Sequence, residues 1–409
     1  MKKIIKILYF SFIFLLIMDG AKAWFTWFFV AEKIYKDIFL LIGGLVCILH
    51  CRLNFIKLVL NKNIIVGLSA LYIELIWLSG FSFASLLYNI AYIFPLWVLL
   101  SDTQNIDYLL QKIICFVAFI LIIGLVMHIY MLVKGSLPGV PIVFPTNANY
   151  IFMNYGFILK GIGSYESEGI RFQSIFLEPG YCATLISFLL FTIKYDFKRY
   201  KLAWILLIGL CFTLSLAGYI LLTIGLILIQ WSKYRSIRIY CGLFFLFLLV
   251  YFSVQQFNEG KNTINEAIFD RLAFDSEKGI AGNNRTGAGA DFYFERVLKN
   301  NDYILGIGYE EINRINGGNN WENVIDYSNQ IRGAGYKIFI ITHGVVALFL
   351  VLIVYYNLGV IQLNKKRYAW AYFIIIIITF IQAAYPQSYS WLIPFIMGCS
   401  PKNNITANI

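Results

Sequence analysis

The chain has 409 residues, of which 60% are hydrophobic and only 13% are charged, and its mean hydropathy is +0.72. Soluble domains carry about a quarter charged residues, so this composition excludes an ordinary soluble protein and predicts a polytopic membrane protein. The net charge is +11, but the basic residues cluster in short segments between apolar runs. That distribution indicates membrane topology and argues against nucleic acid as a partner.

Twelve apolar runs predict an all-α fold with about twelve transmembrane helices. The first run ends at Met18, and the segment Ala21-Lys22-Ala23 after it imitates the cleavage site of a secretory signal. In a polytopic protein the first span can serve as a signal anchor, so we expect an uncleaved helix. The other runs lie near residues 38–50, 64–80, 84–100, 113–133, 179–193, 202–214, 217–231, 239–254, 337–356, 368–384 and 391–400.

The basic residues orient these helices. With the N-terminus in the cytoplasm, 18 of the 33 basic residues fall on short cytoplasmic segments and six on short outer loops. This is the positive-inside pattern, so we expect both termini in the cytoplasm. Residues 202–230 lie between two basic segments and are too few for two full spans. We therefore predict two short helices there, meeting at Ser215-Leu216-Ala217-Gly218.

We expect residues 1–409 to form a single helical membrane domain. Two of its outer segments are long. Residues 134–178 contain three prolines and a semi-apolar stretch that we expect to lie in the membrane interface. Residues 255–336 are rich in Asn and Gly and carry many charges. The apolar and aromatic content of Phe292–Leu298 predicts a small helical subdomain in this second segment.

The decapeptide Arg171–Gly180, with sequence RFQSIFLEPG, lies at the border of an apolar run. In a helix, Arg171, Ser174 and Glu178 would share one face. Pro179 disfavours helical backbone at Glu178 and suits the first position of a helix, so Glu178 is the predicted N-cap. Arg171 and Glu178 can be an anion-binding cation and a general base, or an interfacial arginine and a simple helix cap.

Further candidates are ionisable residues elsewhere in the chain. Arginines of the long outer segment suit phosphate recognition, although loop charges are ordinarily solvated. They are Arg271, Arg285, Arg296, Arg314 and Arg332. Glu74, His128 and His343 lie in predicted helices, where an ionisable group is either functional or a neutral packing partner.

Nucleotide and metal motifs are missing from the sequence. Leu305-Gly306-Ile307-Gly308 begins like a phosphate-binding loop, but Glu311 stands where a third glycine is needed. The three histidines are too scattered for a zinc site, and the seven cysteines fall in or beside apolar runs. We therefore expect no cofactor and no metal.

Four short motifs resemble those of the bacterial O-antigen polymerase (Wzy) family and the related O-antigen ligases. They are Arg171–Gly180, Ser215–Gly218, Asn284-Arg285 and Leu305–Gly308, followed by Ser328-Asn329 and the helix that contains Gly344. The resemblance implies an inner-membrane glycosyltransferase with functional third and fifth periplasmic loops, here 134–178 and 255–336. Such enzymes transfer glycan from undecaprenyl diphosphate to an acceptor hydroxyl, without a nucleotide sugar or a metal.

The resemblance also implies roles for individual residues. Glu178 would be the base of an inverting transfer, and Arg171 would neutralise charge on the departing diphosphate. Residues expected to bind the diphosphate or glycan are Arg285, Arg271, Arg296, Arg332 and His343. The implied partners are lipid-linked donor and acceptor glycans, membrane lipids and a chain-length regulator protein.

Three other functions remain open. A ligase would transfer polymer to lipid A-core, but 255–336 lacks the histidine that the related ligases usually carry there. A flippase or other transporter predicts more charge within the helices than this chain has. An interaction scaffold would use the long outer segment as a binding module and would not need Arg171 or Glu178.

Overall fold

A computed structural model describes most of the chain. The described residues are 2–26, 33–79, 82–135, 137–144, 147–161, 171–233, 256, 274–275, 279–280, 288–315, 335–360, 366–382 and 386–400. Within them the protein is mostly helical.

The helices are numbered in chain order. They are α1 (Lys2–Gly20), α2 (Lys33–Leu53), α3 (Lys62–Ser79), α4 (Phe83–Ser101), α5 (Ile106–Lys134), α6 (Pro179–Thr192), α7 (Ala203–Phe212), α8 (Leu216–Lys233), α9 (Ala288–Lys299), α10 (Gly308–Ile315), α11 (Tyr336–Tyr355), α12 (Lys366–Gln382) and α13 (Tyr389–Cys399). A short 3₁₀ turn, Trp24–Thr26, follows α1, and a π-helical turn, Tyr356–Val360, continues α11.

Eleven of the twelve predicted apolar runs contain a helix, and the run near 239–254 lies outside the described residues. Among the described residues, three helices are long and apolar enough to cross a membrane: Phe83–Ser101, Ile106–Lys134 and α11 with its continuation, Tyr336–Gly359. The prediction of two helices within 202–230 is confirmed, since α7 and α8 meet at a turn around Leu214, where φ is 46°. Only α7 is short, because α8 extends to Lys233.

A three-stranded antiparallel sheet corrects the all-α prediction. Strands β1 (Val140–Phe144), β2 (Asn147–Asn154) and β3 (Leu159–Gly161) pair in the order β1-β2-β3. The semi-apolar stretch expected in the interface therefore forms strands, as its β-branched and aromatic residues favour. Pro141 is tolerated because β1 is an edge strand. A second, two-residue pairing joins β4 (Phe274–Asp275) and β5 (Gly279–Ile280).

Helix α6 lies at the centre of the packing. Every residue from Leu185 to Thr192 is buried, and the helix contacts α7, α8 and α13. Tyr372 of α12 bonds the Thr192 hydroxyl at 2.7 Å, so this hydroxyl has a partner in the apolar layer. Helix α1 packs against α2 and α13.

Two helices, α9 and α10, lie within the described part of residues 255–336, where the sequence predicted a small helical subdomain. Helix α9 covers Phe292–Leu298, and with α10 it packs on the first half of α11. Val297, Ile312 and Ile341 form the small core between them. A salt bridge of 2.7 Å between Lys337 and Asp291 adds a polar contact at its edge.

Candidate functional site

The segment Arg171–Leu177 is not helical, which corrects the expectation that Arg171, Ser174 and Glu178 share a helix face. It is irregular and includes a turn, in which Phe176 N–H donates to the Gln173 carbonyl at 3.1 Å. Phe172 N–H donates to the Phe212 carbonyl at 3.0 Å, and the Ser174 carbonyl accepts from Leu159 N–H at 2.8 Å. Ser174 itself has a φ of 50°, outside helical backbone. Partners distant in sequence, which periodicity does not reveal, fix this conformation.

Glu178 is the N-cap of α6, as Pro179 predicted. Its φ of −141° and ψ of 153° are extended, and Pro179 occupies the first helical position. The Glu178 carbonyl accepts from Tyr181 N–H at 3.2 Å. The Glu178 side chain is exposed and makes no cap hydrogen bond, so its carboxylate does not cap the start of α6.

The exposed carboxylate of Glu178 lies at a cavity of about 210 Å³. We call this the Glu178 cavity. Its walls come from the C-terminal end of α1, the N-terminal end of α6 and the segment that leads into α13. Single residues of α2, α4, α8 and α12 complete the lining. Its charged and polar side chains are Asp19, Lys22, Lys36, Tyr92, Glu178, Tyr181, Thr184, Thr379, Gln387, Ser388, Tyr389 and Ser390.

Hydrogen bonds and close packing hold two walls of the cavity together. Ser388 Oγ donates to the Gly20 carbonyl at 3.2 Å, and a Cβ on Gly20 would lie only 2.6 Å from Ser390 N. Tyr389 Oη donates to the Tyr92 carbonyl at 2.6 Å. The end of α1 therefore requires glycine at position 20 to approach α13.

Arg171 occupies a different place. Its Nε–H donates to the Thr213 carbonyl at 3.4 Å, in the turn between α7 and α8. The side chain is half-buried, and it is not among the residues that line the Glu178 cavity. Of the two predicted catalytic residues, only Glu178 therefore lines this cavity.

His343 lies deep in the helices beside Glu74, 3.4 Å from its carboxylate oxygen, and both side chains are buried. Helix α11 breaks immediately after it, at Gly344, where φ is 77°. The Leu305–Gly308 motif fills the break: Ile307 N–H donates to the Ile341 carbonyl at 2.8 Å, and Val345 N–H donates to the Tyr303 carbonyl at 2.8 Å. His343 is thus placed at a helix junction.

The remaining sequence-predicted residues are dispersed or outside the described part of the chain. Arg296 is exposed on α9, with its guanidinium 5.9 Å from the centre of the Tyr293 ring. Arg314 pairs with Glu311 at 2.6 Å, and its hydrogen bond lowers the pKa of that carboxyl. Arg271, Arg285 and Arg332 lie outside the described residues, as do Asn284 and Ser328-Asn329.

Sequence reasoning missed the basic part of the Glu178 cavity. Lys22 and Lys36 lie between the first two apolar runs, where their charges were used only to orient the helices and to describe the segment after Met18. Their cavity partners, Gln387 and Ser388, lie more than three hundred residues further along the chain. Among the described residues, no group of three or more His, Cys, Asp or Glu side chains could hold a metal ion.

The arrangement brings two carboxylates, Asp19 and Glu178, together with two ammonium groups and several hydroxyls to one partly apolar cavity. A carboxylate can accept a proton, and ammonium groups can bind an anion. No protein-family model, curated protein or solved structure matches the chain.

Proposed function

We propose that this chain is an O-antigen polymerase: a glycosyltransferase of the bacterial inner membrane that joins oligosaccharide repeat units carried on undecaprenyl diphosphate. The observation that carries the proposal is the position of Glu178. Its exposed carboxylate lies at the Glu178 cavity beside cationic and hydroxyl side chains, at the start of a helix whose core is fully buried. The resemblance of Arg171–Gly180 to the polymerase family adds to this support.

The proposed topology has twelve membrane crossings with both termini in the cytoplasm. The distribution of basic residues supports it, and eleven predicted runs are helical. In this topology α1 ends and α6 begins at the periplasmic face, so the Glu178 cavity opens there. Lipid-linked glycans with their sugars in the periplasm would have access to it.

The proposed chemistry is an inverting transfer. Glu178 accepts the proton of the acceptor hydroxyl while that oxygen forms a bond to the anomeric carbon of the donor sugar. The bond from this carbon to the diphosphate oxygen breaks, and undecaprenyl diphosphate leaves with the electron pair. No nucleotide or metal is needed in this scheme, because the donor already carries its leaving group.

Positive charge would stabilise the departing diphosphate. In the proposal this role falls to cations at the cavity and to arginines of the two long outer segments, Arg171, Arg271, Arg285, Arg296 and Arg332. Arg171 would act from the α7–α8 turn, where its side chain bonds Thr213. His343 would act indirectly, by holding the junction between α11 and the long outer segment.

The test is complementation of a deletion strain, read on a lipopolysaccharide gel. Glu178→Gln should reach the membrane at the normal level, yet leave single repeat units on the lipid A-core, because the amide cannot accept the proton. Glu295→Gln is a matched control, since Glu295 is an exposed acid on α9 away from the cavity. Normal long chains from Glu178→Gln would overturn the role of Glu178. Polymer stranded on the lipid carrier in the deletion strain would indicate a ligase and contradict the polymerase.

A further inference from the structure

The backbone around Lys22 is locked beside Glu178. Residues 22–24 pair with residues 175–177: Trp24 N–H donates to the Ile175 carbonyl at 2.9 Å, and Leu177 N–H donates to the Lys22 carbonyl at 3.1 Å. Lys22 has a φ of 58°, a left-handed conformation that non-glycine residues rarely adopt. Because the last pairing involves the residue directly before Glu178, Lys22 and Glu178 are held at the same cavity.

Lys36 approaches the same space from α2. Its Nζ lies 4.0 Å from the Asp19 carboxylate, with 32% of the Lys36 side chain and 14% of the Asp19 side chain exposed. Lys22 also interacts electrostatically with both Asp19 and Lys36. Both ammonium groups therefore face the Asp19 carboxylate. Asp37 also attracts Lys36, and the Glu178 carboxylate lines the same cavity, so the two lysines supply its positive charge among nearby acids.

Neutral donors complete this environment. The side chains of Gln387, Ser388 and Ser390 line the cavity together with Lys22 and Lys36. The Ser388 hydroxyl already donates to the Gly20 carbonyl and pairs with Ser390 Oγ. The Gln387 amide and the two ammonium groups are the donors that suit an anion with several acceptor oxygens. The cavity is large enough for a phosphate group and has an apolar wall that includes Leu185 and Trp391.

We propose that Lys22 and Lys36 form the anion-binding site of the Glu178 cavity and bind the diphosphate of a polyprenyl-linked donor. The identity of this ligand rests on the proposed function, whereas the anion site rests on the cavity itself. Asp19 offsets one of the two positive charges when the site is empty. The two ammonium groups then neutralise the charge that develops on the diphosphate as the bond to the sugar breaks.

The test is binding to the purified full-length protein in nanodiscs, with farnesyl diphosphate and inorganic pyrophosphate as probes. Lys22→Gln and Lys36→Gln should each weaken farnesyl diphosphate binding by about 10-fold, the usual effect of losing one charge-assisted hydrogen bond. Lys134→Gln is the matched control: it removes an exposed positive charge at the end of α5 and should leave the dissociation constant unchanged.

Asp19→Asn should change the affinity for farnesyl diphosphate in the opposite direction from the lysine variants. Removing this carboxylate should tighten farnesyl diphosphate binding, a result that loss of folding cannot produce. Unchanged affinity in both lysine variants, or weaker binding in Asp19→Asn, would overturn the anion site. Equal competition by phosphatidylglycerol vesicles would overturn its assignment to a diphosphate and indicate a phospholipid headgroup site.

The outcomes separate the anion site from the proposed function. Glu178→Gln should retain farnesyl diphosphate binding while it stops chain growth. Normal chain growth in Glu178→Gln, together with weakened binding in the lysine variants, would refute the catalytic role of Glu178 and keep the anion site. Arrested chain growth in Glu178→Gln, together with full binding in the lysine variants, would refute the anion site and keep the catalytic role of Glu178.

Discussion

Glu178 combines two properties that a general base needs: an exposed carboxylate and a fixed backbone. Pro179 at the first position of α6 and the pairing of Leu177 with Lys22 both restrict the chain on either side. The position of Glu178 could be predicted, because proline acts on its immediate neighbour. Its cavity could not, because Lys22, Lys36 and Ser388 are brought together only by the packing of α1, α2 and α13.

The charge state of Lys22 provides a prediction at this scale. Burial lowers the pKa of Lys22 from its ordinary 10.5, with repulsion by Lys36 in the same direction and attraction by Asp19 opposing it. Only the protonated ammonium binds an anion, so affinity should fall as pH rises through this lowered pKa. We expect the dissociation constant of farnesyl diphosphate to increase from neutral pH to about pH 10.

Lys22→Arg is the control for that titration, since a guanidinium stays protonated throughout this range. The variant should retain binding at pH values where the unmodified protein has weakened. Lys36, Asp19 and Glu178 are common to both proteins and do not account for a difference between them. Identical pH profiles for the two proteins would contradict a role for the Lys22 charge.

At the scale of elements, the Leu305–Gly308 motif packs into the break of α11 and holds the two chain segments together. Gly306 and Gly344 both have positive φ and pack against each other's backbone. The freed amide of Val345 finds the Tyr303 carbonyl, so the broken helix keeps a hydrogen-bond partner there. The Leu305–Gly308 motif resembled a phosphate loop in sequence, yet its glycines here permit close approach of two chain segments.

Gly344→Ala should therefore destabilise the junction. A Cβ at this position would lie 2.6 Å from Gly306 N. The backbone at φ 77° and ψ 174° is essentially restricted to glycine, which adds a cost of about 1–3 kcal/mol. We expect a lower melting temperature and faster amide hydrogen exchange in residues 303–307. Gly308→Ala is the matched control, since Gly308 has the same φ of 77° but open space around its Cβ. Equal effects of the two substitutions would show that the contact is unimportant.

The same scale shows what local sequence could and could not predict. Apolar runs located the helices well, because burial or a membrane selects long apolar segments. The strands β1–β3 were missed, since three prolines and a semi-apolar composition indicated an irregular interfacial segment. The non-helical conformation of Arg171–Leu177 was also missed, because its hydrogen-bond partners include Phe212 and Leu159.

For the whole molecule, the packing separates two groups of ionisable residues. The Glu178 cavity collects charged and hydroxyl side chains where α1 ends and α6 begins. The buried pair of Glu74 and His343 lies instead between α3 and α11, near residues 303–307, which bond to α11. Composition indicated that such residues are few, but only the fold shows which of them share a site.

The most direct test of the central claim is polymer formation by the purified protein in liposomes. The substrate would be the undecaprenyl-diphosphate-linked repeat unit from a deletion strain, and the product would be separated by chain length on a gel. We predict a ladder of polymers without nucleotide sugar or added metal, and no ladder from Glu178→Gln. Equal ladders from the unmodified protein and from Glu178→Gln would contradict the account, as would an unmodified protein that leaves the repeat unit unjoined.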